Sequence, residues 1–282
     1  MHLLMLVVAL GGALLLRWQR PSQAGSLRQH WQRSLVALGL PPLLLLATAG
    51  AIAGMGPQGR MLGVQVGWLS YGLAWGTLGV AALSWGVQTY RGWRTWQQAR
   101  AHPVVELEGS PARLVPERLP YSARIGFWQP ELVVTRGLLE ALDGAHLQAV
   151  LAHERAHYEC RDPFWFFWLG WLRAWTAWLP GTRALWQELL LLRELRADAR
   201  AARECDPLLL AESLVAMARH AARTPLDGQP ALHGSGEPHH LQARVEALLS
   251  PQPLEAQQRD TGGAWPWMLL ALLPLGTVPL HG

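Results

Sequence analysis

The stretch ALDGAHLQAVLAHERAHYEC, residues 141–160, decides the reading of this chain. It has a helical pattern, and HERAH occupies 153–157 within it. On an α-helix His153 and His157, four residues apart, lie on one face, one turn above the other. Two imidazoles placed that way can bind one Zn²⁺. Glu154 is offset by about 100° around the helix axis. It can therefore stand beside the ion as a general base without being a ligand.

A second helical stretch, WQELLLLRELRADARAARE, covers residues 186–204. Glu194 and Asp198 are again four apart. Two His and one Glu leave the fourth tetrahedral position of zinc open, as catalysis requires, so Glu194 is the expected third ligand. Asp198, one turn on, can accept a hydrogen bond from the free ring N–H of a ligating His, which fixes the tautomer. Taken alone, the two carboxylates could equally be solvated partners of Arg193, Arg196 or Arg200. The motif upstream favours the ligand reading.

Composition points to a membrane. Half of the 282 residues are hydrophobic and 16% are charged, where about a quarter is usual for a soluble domain. There are sixteen Trp, and no Lys or Asn, so every strong base is Arg. That fits GC-rich bacterial coding and leaves no Asn-linked glycosylation site. The pI near 9.7 could suggest nucleic acid. The arginines form no groove-binding run, however, and many flank apolar segments, so no direct nucleic-acid partner is expected. Cys160 and Cys205 give no disulfide framework.

Residues 1–90 read as three transmembrane helices. The first is MHLLMLVVALGGALLL (1–16), followed at once by Arg17 and Arg20. A cleaved signal would carry its charge before the apolar run, so an uncleaved span is expected. The second is 34–54, kinked at Pro41 and Pro42. The third is 62–89, with Gly63, Gly67, Gly72, Gly76 and Gly79 offering close helix packing. Arginines in 17–33 and beyond 90 place those segments in the cytoplasm by the positive-inside rule. The peptidase region, 91–223, then faces the cytoplasm.

Short Gly- and Pro-broken segments across 104–136 predict a small β-sheet or hairpin. A strand edge beside the ion could seat an extended peptide, or the strands could only support the helix. Residues 163–180 carry Trp165, Trp168, Trp171, Trp175 and Trp178 at helical spacing. They read as an interfacial helix, with a buried core helix as the alternative. Residues 224–263, with His233, His239 and His240, read as a flexible solvent-facing loop, and 264–281 as a fourth span.

HERAH, RELRAD (193–198) and apolar spans on either side together resemble the membrane metallopeptidases of the beta-lactam-sensing signal-transducer type. ARIGFWQPELVVTRGLLEALDGAHLQAVLAHERAHYECRDP (123–163) is similar to that family's core, and the likeness covers roughly residues 90–205. It implies zinc held by His153, His157 and Glu194, with Glu154 as catalytic base. It also implies a cytoplasm-facing site acting on a transcriptional repressor or on the chain itself. The sensing members carry a penicillin-binding domain after the last span. Without Lys this chain cannot hold a Ser-x-x-Lys acylation motif, so direct beta-lactam sensing is not expected. A more distant resemblance is to heat-shock and prenyl-protein membrane peptidases.

The expected architecture is mostly α. It is a multi-span protein of the bacterial inner membrane with a gluzincin-like zinc peptidase domain containing a small β-sheet or hairpin. The expected activity is zinc-dependent endopeptidase cleavage of a protein or peptide. The rivals are a regulatory membrane protein with a purely structural metal site, which would need a fourth protein ligand, and a transporter. A transporter would need ionisable groups inside its spans, and the first three spans hold almost none.

Overall fold

The computed structural model describes residues 2–18, 26–57, 60–61, 64–65, 67–223, 238–250 and 268–280. Most of them are helical, with a small mixed sheet. The chain divides into two units. The first is 1–89, 168–189 and 260–282; the second is 90–167 and 190–259.

In the first unit, α1 (His2–Trp18) and α2 (Leu27–Met55) pack together. Ser26 opens α2 with a reciprocal cap: its hydroxyl accepts from the Gln29 N–H, and the Gln29 side chain accepts from the Ser26 N–H. Pro42 inside α2 has no N–H to give to Leu38, four residues back. Arg17 at the end of α1 fills that place: its Nη2 donates to the Leu38 carbonyl at 3.1 Å, and the residue is buried. On the same helix Ser34 Oγ donates to Glu188 at 2.7 Å, and His30 pairs with the same carboxylate. A 3₁₀ helix, Leu270–Leu280, packs along α2.

Of the described helices, α2 alone is long and apolar enough to cross a bilayer by length and composition. α1 is apolar but has 17 residues, about 26 Å of helix against a hydrocarbon core of about 30 Å. α3 (Trp68–Arg100) is longer than the expected third span, and even its apolar first half is interrupted by Trp, Tyr, Gly, Ser and Thr. Before it, β1 (Arg60–Met61) and β2 (Val64–Gln65) pair antiparallel within what was expected to be turn and span. Gly72, Gly76 and Gly79 of α3 face open space, so the close packing expected of them is not made among the described residues. The described part of the expected fourth helix, 268–280, is chiefly an eleven-residue 3₁₀ segment that contains Pro274 and Pro279. Residues 264–267 and 281 lie outside the described residues.

The second unit contains the sheet: β3 (Val104–Leu107), β4 (Ser110–Val115), β5 (Ser122–Ile125) and β6 (Glu131–Thr135), in the order β3-β4-β6-β5. β4 and β6 run parallel and the other pairs antiparallel. Glu108 and Gly109, at φ of 49° and 73°, turn β3 into β4 as the two-residue hairpin geometry demands. Leu132 and Val134 of β6 join Ala112, Leu138, Val150 and Leu151 in one buried cluster, so the sheet and the HERAH helix share a core.

Thr135 caps α4 (Arg136–Ala141), and Asp143 caps α5 (Gly144–Glu159), which carries HERAH. Gly137 has no alternative, because a Cβ there would lie 1.9 Å from the Arg118 carbonyl oxygen. α6 (Asp162–Trp175), α7 (Thr182–Ala201) and α8 (Pro207–Arg223) follow.

Two expectations are revised here. Residues 224–263 are not loop throughout: α9 (Pro238–Leu249) lies within them. Val245 and Leu248 of α9 pack against Ala149, Ala152, Leu210 and Ala211. That apolar spacing is masked in the sequence by surrounding Pro, Gly and Gln. His240 is buried rather than solvent-facing, while His239 is exposed; His233 lies outside the described residues. The Trp-rich helix ends at Trp175 rather than at 180. Trp175 belongs to the core of the first unit with Ala9, Ala13 and Leu45, and Trp171 Nε1 donates to the Ala81 carbonyl at 2.8 Å. Trp165 and Trp178 are exposed.

Candidate metal centre

α5 and α7 bring the chemistry together inside the second unit. Nε2 of His153 and Nε2 of His157 are 3.0 Å apart. Oε2 of Glu194 lies 3.4 Å from the first and 3.8 Å from the second. Four ligands around zinc at about 2.0–2.1 Å stand about 3.3 Å from one another, so the spacing suits one ion.

The opposite ring atoms are held from outside. His157 Nδ1 is 2.7 Å from Asp162 Oδ2, and His153 Nδ1 is 2.8 Å from Asp198 Oδ1. The second approach is close, but its angle falls short of a well-aligned hydrogen bond. Carboxylates at Nδ1 favour a proton there, which leaves both Nε2 lone pairs facing one another. Two facing lone pairs 3.0 Å apart bond to nothing unless a proton or a cation lies between them. The donor set therefore fits a metal ion, which His153, His157 and Glu194 would hold.

Local backbone explains how Asp162 arrives. α5 stops at Cys160, and Arg161 takes a left-handed conformation at φ 53°. That single residue turns the chain into α6, whose first residue, Asp162, faces back to His157. Arg196 of α7 pairs with the other oxygen of Asp162.

The carboxylates are neutralised by arginines. Arg193 donates to Glu194 Oε1 at 2.6 and 2.9 Å while its guanidinium stacks over Phe166. Arg244 of α9 grips Asp198 with two prongs, Nε to Oδ2 at 2.7 Å and Nη2 to Oδ1 at 2.8 Å. It also lies 3.3 Å from Glu194 Oε2 and 3.5 Å from His153 Nε2. Burial pushes the Glu194 carboxyl up, but Arg193 and the two imidazoles outweigh it and hold the carboxyl well below its ordinary range. Burial likewise opposes ionisation of Asp198, and Arg244 reverses the effect. Burial disfavours charge on both imidazoles, yet Asp198 and Glu194 raise His153, and Asp162 and Glu194 raise His157 to about 10.

Glu154 is buried next to the ligands without joining them. Its Oε1 accepts from Ser122 Oγ on β5 at 2.7 Å. A cavity of about 420 Å³ opens over it, lined by β5, α5, α7 and α9. β5 is the end strand of the sheet, so among the described residues one of its backbone edges is unpaired. Tyr121 also lines the cavity, and burial, then Glu154, raises its hydroxyl to about 12. Tyr158 is half exposed, and the Arg124 guanidinium stacks over its ring.

The five residues singled out in the sequence, His153, Glu154, His157, Glu194 and Asp198, thus lie together. Ser122, Tyr121, Asp162, Arg193 and Arg244 were not singled out as site residues. Asp162 offered a faint signal in the Arg-Asp pair after the helix, and Arg244 offered none, because its segment reads as loop.

No curated protein and no solved structure matches the chain. Residues 123–190, from β5 through the HERAH helix to just short of Glu194, match the model of Peptidase family M48, and with the three converging donors this supports a metallopeptidase.

Proposed function

We propose that this chain is a membrane-embedded, zinc-dependent endopeptidase of the His-Glu-x-x-His gluzincin type. The observation that carries the reading is the convergence of His153, His157 and Glu194, three donors within 4.8 Å of one another and, among the described residues, without a fourth. A structural site would close the fourth position.

When bound, zinc supplies Lewis acidity, polarising a water and the scissile carbonyl. Glu154 accepts the proton of the attacking water on the oxygen that Ser122 leaves free, and returns it to the departing amine. Ser122 fixes the carboxylate orientation. Tyr121, whose raised pKa keeps its hydroxyl protonated, offers an O–H donor in the cavity to the oxyanion. Asp162 and Asp198 orient the two imidazoles. The unpaired edge of β5 receives an extended peptide by strand addition.

The substrate class is a protein or peptide: a regulatory protein such as a transcriptional repressor, or the chain itself, in signalling of the beta-lactam-transducer kind without direct drug sensing. The membrane reading rests on α2 and on the apolar side chains exposed along α1 and α3, among them Leu4, Val8, Leu15, Leu73, Val80 and Leu83. The Arg distribution orients the site to the cytoplasm of a bacterial inner membrane.

The test compares the wild type and Glu154→Gln in membranes. The variant keeps one zinc per chain and loses cleavage by at least about 100-fold. Equal cleavage rates, or a wild type that binds no zinc, sink the reading.

A further inference from the structure

Three arginines line the cavity, and two are already committed. Arg193 is spent on Glu194, and Arg244 on Asp198 and Glu194. The third, Arg124 of β5, forms no ion pair among the described residues. Its Nε is buried without a hydrogen-bond partner, and its guanidinium lies 5.1 Å over the Tyr158 ring. It also borders a smaller cavity that holds Glu108 and Glu204, yet those carboxylates bond elsewhere. Glu108 accepts from Gln148 at 3.1 Å and Glu204 from Arg155 at 2.8 Å.

An unpaired guanidinium with a buried nitrogen is costly to keep, and a carboxylate ligand offsets that cost. Burial already acts on it, lowering its pKa, with the Glu154 charge opposing. Strand geometry says where the ligand sits. Ser122 and Arg124 are two apart on β5 and so share one face. Ser122 holds Glu154. Arg124 is one pleat further on, about 7 Å along the strand. An extended chain lying on β5 with its scissile bond at Glu154 therefore brings a neighbouring residue to Arg124. Stacking on Tyr158 holds the guanidinium in place for that encounter.

We infer that Arg124 is a specificity-determining residue that selects a carboxylate in the substrate, one subsite from the cleaved bond. This rests on the peptidase reading above for the position of the bond, but not for the binding of the carboxylate. The carboxylate has two possible sources, an acidic side chain or a free chain terminus, and the test separates them.

The full chain, zinc-loaded in detergent, is offered fluorogenic peptides in three forms. One set is blocked at both ends with Glu placed at successive positions. A second carries Gln there, and a third is neutral with a free carboxyl terminus. In parallel, binding of the same peptides to Glu154→Gln is followed by fluorescence anisotropy. The expected result is a preference of about tenfold or more for one carboxylate-bearing set, in both cleavage and binding. Arg124→Gln abolishes the preference, and Arg124→Glu shifts it toward Lys or Arg at the same position. Zinc content stays at the wild-type level in both variants, which shows that the site is intact.

Preference for the Glu set identifies an acidic side chain, and preference for the third set identifies a terminus. Equal binding of all three sets, or a preference that survives Arg124→Glu, overturns the inference. If the carboxylate sets bind through Arg124 but nothing is cleaved, the peptidase reading fails while the Arg124 assignment stands.

Discussion

Arg244 meets Asp198 through two parallel hydrogen bonds of 2.7 and 2.8 Å, in a place where Asp198 is fully buried. The pair ties α9 to α7 directly behind His153. Removing one partner leaves the other charge buried and uncompensated. Arg244→Ala should therefore cost about 3–5 kcal/mol of stability, read by chemical denaturation of the metal-free protein. Arg244→Lys keeps the charge, loses the fork, and should fall between. A variant as stable as the wild type would show that α9 does not dock here.

Asp162 reaches His157 only through the turn at Arg161. Asp162→Asn preserves shape but no longer fixes the imidazole as a carboxylate does. Zinc affinity should drop by roughly 10–100-fold, as for other carboxylates behind ligating histidines. Competition with a chromogenic chelator measures it. His157→Ala should remove stoichiometric zinc altogether.

Gly137 packs against the Arg118 backbone with no room for a methyl group. Gly137→Ala must displace backbone rather than a flexible side chain. The expected loss is about 1–3 kcal/mol or more, seen as a lower melting temperature and reduced yield. Gly144→Ala, at a position with open space around it, serves as the matched control and should change little.

The start of the HERAH helix titrates. Asp143 is held below its ordinary pKa by the His146 backbone N–H, and then by its ring. Its contribution is complete above the ordinary Asp range and fades on acidification. His146 is raised mainly by its bond to Asp143, so its contribution is complete below the ordinary His value and is lost as pH climbs through the raised one. The capped helix should be most stable between about pH 4 and about pH 6.5. Melting curves across pH should show this optimum flattened in Asp143→Ala, with the largest drop in melting temperature inside that window.

Much of the site was legible because helical spacing is local. His153 with His157, and Glu194 with Asp198, repeat at four residues, so each pair had to share a face once its helix formed. The presence of strands before the motif was legible from Gly and Pro punctuation. The mixed order of those strands was not, since the parallel pairing of β4 with β6 depends on contacts between separated segments. Arg244 was illegible for a related reason: α9 owes its place to Val245 and Leu248 packing on Ala149 and Ala152 of α5 and on Leu210 and Ala211 of α8, none of them local in the chain. Apolar runs were legible, yet among the described helices α2 alone is long and apolar enough to cross a membrane. Hydropathy does not foresee where 3₁₀ winding replaces α winding in a Pro-bearing run.

The contact between Arg17 and Leu38 has a consequence for biogenesis. A proline in a helix surrounded by hydrocarbon strands a carbonyl, and here a neighbouring helix supplies the missing donor. Under the membrane reading proposed above, neither segment is then self-sufficient, and the two should enter the bilayer as a hairpin rather than one after the other. Exchanging the leading segment for a generic anchor of equal hydrophobicity would leave an oxygen without a proton donor in the least forgiving solvent the protein meets.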